Sequence, residues 1–142
     1  MVAKAPIGLA VLRIVVGITF LSHGWPQLMN GARGTTQHLA ELGIPVAVAW
    51  AWLLTLLETV GGLLLVLGLF VTPVAILLII EMVGVVMVRA SSGWYVIGPG
   101  HGGVEFNVLL IAALLVLILV GPGAWTFRVP REDSAPTLDS SP

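Results

Sequence analysis

Cysteine is absent from the 142 residues. That absence removes disulfides, thiol nucleophiles, thiolate metal cages and cysteine-held Fe–S clusters from the chain's own repertoire. Charge is nearly as scarce. Asp, Glu, Lys and Arg make up 9% of the sequence, against roughly a quarter in an ordinary soluble domain. A chain so poor in polar groups cannot clothe a water-facing surface, although its length would suffice for a soluble domain. The formal net charge is −1 with no basic run, so there is no footprint for nucleic acid. What remains is 58% hydrophobic, with a mean hydropathy of +1.07. Lipid is the solvent that suits such a surface.

Four apolar segments, at about 7–28, 46–70, 73–90 and 105–121, divide the sequence. Each approaches the roughly 20 helical residues needed to cross a hydrocarbon core, the last two falling short and leaning on flanking residues. The expected architecture is therefore all-α, an integral membrane four-helix bundle over residues 1–128. Residues 129–142 read as a disordered cytoplasmic tail, because Pro, Ser, Asp and Glu there leave little to bury. The first segment reads as a retained helix and not a signal peptide, since Arg13 interrupts it and no small-residue cleavage site follows. Asn30 to Pro45 is a long polar connection, Val71-Thr72 a tight turn, and Arg89 to Gly103 a second long loop. Both long loops then share one membrane face. Lys4, Arg128 and Arg131 on the other face outnumber Arg33 and Arg89, which predicts a multi-pass cell-membrane protein with both termini cytoplasmic.

Chemistry in such a chain must reside in its few intramembrane polar groups. At 1.5 Å per residue, Arg13 lies roughly 9 Å in from the face bearing the termini, Glu81 roughly 12 Å and Glu58 roughly 18 Å. Charges at such depth cost about 2.5–3.5 kcal/mol each on insertion scales, so they should face partners. An ion pair of Arg13 with Glu81 or Glu58 is expected, leaving one acid in excess, more naturally Glu58. The pair reads as a packing clamp, and the excess acid as a proton relay or polar headgroup site. Toward the long-loop face, His23, His101 and Glu105 form a second cluster, with Glu105 at a helix start where the dipole favours an anion. A His–Glu pair can move protons near neutral pH, and it can also simply meet lipid headgroups, the default for His38. No dense ligand spacing supports a metal, and His23 with His101 makes no convincing axial pair for haem. Gly61, Gly62 and Gly68 beside Glu58, with Gly8 and Gly17 on the first helix, fit close helix packing.

Several of these residues occur in a recognisable order. Arg13, then Phe20-Leu21-Ser22-His23-Gly24, then Leu57-Glu58-Thr59-Val60-Gly61-Gly62 through Gly68, Glu105, and finally Gly121-Pro122-Gly123-Ala124-Trp125 resemble the pattern of DoxX-like membrane proteins. The resemblance runs from about Leu9 to Trp125 and departs at Gln27, where the family often has Lys, and at Thr126-Phe127-Arg128, where it commonly has Ser-x-Asp. It implies a four-helix membrane protein tied to quinone-linked redox chemistry or to membrane-associated detoxification complexes, with Arg13, His23, Glu58 and Glu105 matching the pattern.

The function expected on these grounds is that of a small membrane subunit of a quinone-linked oxidoreductase. Glu58, His23 and Glu105 would move protons, and Arg13, Glu58, Glu81 and His101 would line the quinone site. Other membrane or peripheral redox subunits, or further copies of the chain, would be its partners, because the chain has no electron carrier of its own. A scaffold that docks soluble enzymes is the alternative, and a small-solute transporter a third.

Overall fold

The computed structural model describes residues 4–89 and 104–127. Helix is the only regular structure among them: α1 (Ala5–Met29), α2 (Arg33–Glu41), α3 (Ala47–Leu67), α4 (Val71–Arg89) and α5 (Glu105–Val120). Helices α1, α3 and α4 are long and apolar enough to cross a membrane, and α5 is a shorter apolar helix of 16 residues. The protein is an all-helical membrane bundle, and its long apolar side chains face outward along every spanning helix. Ile18, Val60, Ile80 and Leu119, for instance, are all exposed, as lipid contact requires.

Buried residues fall on one stripe per helix, with the spacing of three and four that helical geometry demands. On α1 the stripe is Ala10, Arg13, Val16, Gly17, Phe20 and Gly24. On α3 it includes Ala51, Thr55, Thr59, Gly62 and Leu65, and on α5 Asn107, Leu110, Leu114 and Leu117. Small residues bring α1 and α3 into backbone contact. A Cβ on Gly17 would lie 2.7 Å from the Gly62 carbonyl oxygen, and one on Gly62 would lie 2.7 Å from the Gly17 carbonyl oxygen. Neither position has room for a side chain. Nearer the middle, Leu65, Leu78, Leu114 and Leu117 are fully buried in one apolar cluster that draws on α1, α3, α4 and α5.

The polar connection after α1, a loop on sequence grounds, contains the helix α2. Gly31, with φ 66°, turns the chain out of α1, the Ala32 N–H closing onto Gln27 O at 2.8 Å. Gly43, with φ 72°, ends α2 in the same way, through Ile44 N–H to Leu39 O at 3.0 Å. Between them Leu39 packs on Ala32 and Ala51, so α2 is seated on the start of α3. At the opposite end, the turn between α3 and α4 falls at Gly68–Phe70, and α4 begins at Val71, slightly earlier than expected. Pro73 then occupies the first turn of α4, where a missing N–H leaves no bond unmade. After α5 the chain folds back under α1, with Ala124 N–H bonded to Pro6 O at 2.8 Å. The expected tail at 129–142 lies outside the described residues.

Candidate functional site

Two polar centres sit at opposite ends of the bundle. The first is built around Arg13, which is 1% exposed. Its Nη1 donates to Pro122 O at 2.7 Å and Ala124 O at 3.2 Å, and its Nη2 donates to Trp125 O at 3.0 Å. The guanidinium also abuts Gly68 at the end of α3, where a Cβ would stand 2.9 Å from its Cζ. Three carbonyl oxygens of the returning strap thus accept from the cation, and the partial negative charge of α3's nearby C-terminus adds to the attraction. The expected ion pair with Glu58 or Glu81 does not form. Depth alone suggested it; the azimuth of Arg13 on α1 points it at the Gly121–Trp125 strap instead. Arg13 therefore joins the two chain ends, and it does not line either of the cavities described next.

The second centre lies toward the α2 end. Gln27, in the last turns of α1, donates from Nε2 to Glu58 Oε2 on α3 at 2.9 Å. The Gln27 Oε1 accepts from Thr35 Oγ1 of α2 and, at 3.4 Å, from Thr55 Oγ1 of α3. Hydroxyls donating to one end of the amide fix its orientation, so its NH2 must face the carboxylate. Room for this assembly comes from Gly24, since a Cβ there would lie 2.6 Å from the Thr59 backbone nitrogen. Three helices are thereby tied to one carboxylate.

Cavities flank the Gln27–Glu58 pair on both sides. One, of about 540 Å³, opens between α3 and α4 beneath α2. Apolar side chains such as Leu54, Ile80, Val85 and Val88 make up most of its wall, and Gln27, Thr35, His38, Glu58, Glu81 and Arg89 supply the polar groups. Glu81 is 7% exposed, and its Oε2 has no hydrogen-bond partner among the described residues. The other cavity, of about 470 Å³, lies among α1, α4 and α5 and is lined by Thr19, His23, Gln27, Glu58, Arg89 and Asn107, together with Phe20, Met82 and Phe106. His23 lies 2.8 Å through Nδ1 from the Thr19 carbonyl oxygen, and its ring lies beside Phe106 with centroids 6.3 Å apart.

Of the residues singled out from sequence, then, Glu58, Glu81 and His23 come together around these cavities. Glu105 stands in the first turn of α5, as expected, but is not part of either lining. His101 lies outside the described residues. Gln27, Thr35, Asn107 and Arg89 were missed as site residues. The sequence offered one signal for Gln27, which follows His23 by one helical turn and therefore shares its face. Among the described residues no three His, Asp or Glu side chains gather as a metal cage.

A comparison with protein families matches the DoxX family over residues 8–90, more than half of the chain. The chain belongs to the DoxX family. The match takes in α1 to α4, and with them Arg13, His23, Gln27, Glu58 and Glu81. Relatives of this DoxX protein include "Inner membrane protein YphA" of Escherichia coli, 34% identical over 86% of this chain and 89% of that one. "Putative oxidoreductase CatD" of Bacillus subtilis is 30% identical over 81% of this chain and 80% of its own length. "Uncharacterized membrane protein Rv3486" of Mycobacterium tuberculosis is 30% identical over 87% and 81%. No solved structure matches this DoxX protein.

Proposed function

We propose that this protein is the membrane subunit of a quinone-linked redox complex and that the cleft between α3 and α4 receives a quinone or quinol headgroup from the bilayer. The observation that carries this reading is Glu81. A carboxyl oxygen buried without a partner beside a mostly apolar cleft is a group awaiting a hydrogen-bonding ligand. The residues present suit a flat ring carrying two oxygens. Apolar walls accept the ring, while Glu58, Glu81 and His38 offer donors or acceptors to its oxygens according to their protonation. Trp50, Ile80 and Val88 on the cleft wall are exposed, which supports an entrance among lipid-facing side chains. The name of the Bacillus relative supports an oxidoreductase context.

A bound quinol supplies two electrons and two protons on oxidation. Glu58 and Glu81 are the groups placed to take the protons, and Gln27 holds Glu58 at a fixed position while they do so. With no cysteine in the sequence and no ligand cage among the described residues, the electrons would pass to a redox partner, membrane-bound or peripheral.

Gly84 gives the test. It lines the cleft, and nothing stands within 4 Å of where its Cβ would be, so the backbone there has room to carry the leucine of Gly84→Leu, which would occupy cleft space. Binding of a short-chain benzoquinol to the protein in lipid nanodiscs should weaken at least about tenfold in Gly84→Leu, as in Glu81→Gln, with the melting temperature unchanged. Wild-type affinity in both folded variants would favour the scaffold reading instead.

A further inference from the structure

Glu58 has a cavity on each side, and the second is the less apolar of the two. The cleft between α3 and α4 is largely apolar. The cavity among α1, α4 and α5 draws polar side chains from four helices: Thr19 and His23 from α1, Glu58 from α3, Arg89 from α4 and Asn107 from α5. Asn107 is the informative one. It is 8% exposed on the buried stripe of α5, and no described residue hydrogen-bonds to its amide. An amide that lines a cavity and has no partner among the described residues suits water as its partner. The space is adequate, at about 470 Å³ against roughly 30 Å³ for one water in the liquid. Its position suits access from an aqueous face. Arg89 is the last residue of α4, Phe106 the second of α5, and His23 is exposed near the end of α1. Met82 marks its depth, about 10 Å down α4 from Arg89 at 1.5 Å per residue.

We infer that this second cavity is a hydrated chamber that connects Glu58 with the aqueous phase at the α2 end of the bundle. Glu58 then forms a wall common to two compartments, one opening among lipid-facing side chains and one holding water. What the chamber carries rests on the proposed function: a proton taken by Glu58 from a quinol passes to water there and leaves past His23. The hydration itself is independent of any quinone.

The cysteine-free sequence allows a direct test. Asn107→Cys and Thr19→Cys place single thiols in the chamber, Leu114→Cys places one in the fully buried core, and Leu119→Cys places one on the lipid-facing surface. A thiol reacts as its thiolate, which forms readily in water and poorly in apolar surroundings. In nanodiscs, a charged methanethiosulfonate should modify Asn107→Cys and Thr19→Cys at least about tenfold faster than both controls. Variants that elute as wild type but react no faster than Leu114→Cys would overturn the chamber. So would reaction with neutral N-ethylmaleimide alone. Fast labelling in a protein that binds no quinol would keep the chamber and discard the quinone.

Discussion

A guanidinium has five N–H groups and no acceptor, so burying one obliges the fold to aim several oxygens at it. Here the oxygens are the carbonyls of Pro122, Ala124 and Trp125. Arg13→Leu removes the charge-assisted bonds and leaves three carbonyls without a donor, a loss on the order of 3 kcal/mol or more. The level of assembled protein should fall accordingly. Because neither Glu58 nor Glu81 contacts Arg13, adding Glu58→Gln or Glu81→Gln should rescue nothing. Arg13→Lys keeps a cation but gives up the planar fork, and should recover only part of the loss. Rescue by either glutamine, measured as folded protein per cell, would restore the ion-pair reading. The sequence showed that Arg13 needs a partner in the membrane. It could not show which, because the carbonyls that answer it lie 109 to 112 positions away and any residue type carries one.

At the scale of elements, the long apolar helices could be read directly, since a run of apolar residues near 20 long has few other uses. Helix α2 was hidden by its composition. Gly34, Thr35, Thr36 and Gln37 look like a loop, and only Leu39 on Ala51 gives the segment a buried anchor. The site suffered for it, because Thr35 and His38 belong to that helix and one of them orients Gln27. Glycines at the α1–α3 contact were recognised as packing residues, and the structure sorts the tight from the roomy. Gly17→Ala and Gly62→Ala each drive a methyl to 2.7 Å from a backbone oxygen, which must force the helices apart. Gly8→Ala and Gly84→Ala meet nothing within 4 Å and relieve the entropic cost of glycine in a helix. The first pair should lower the melting temperature in detergent and the second should leave it unchanged or raise it by a little. A uniform response across all four would contradict the backbone contact.

Taken whole, the bundle is fastened at one end and polar at the other. Arg13 and the strap after α5 close the end where α1 starts and α5 finishes, while Gln27, Glu58, Glu81 and the two cavities occupy the α2 end. Lys and Arg counts predict that the α2 end lies outside. An impermeant thiol reagent on intact cells should therefore label Thr35→Cys and spare Ala5→Cys until the membrane is opened. The reverse pattern would invert the protein. The central claim is that the α3–α4 cleft takes a quinone headgroup. It is tested most directly by photolabelling the protein in native membranes with an azidobenzoquinone and mapping the adducts by mass spectrometry. The account predicts adducts concentrated on cleft residues of α3 and α4, around Leu54 and Ile80 to Val88, displaced by excess quinone and lost in Gly84→Leu. Adducts spread evenly over the lipid-facing sides of α1, α3, α4 and α5, and indifferent to competitor, would contradict it.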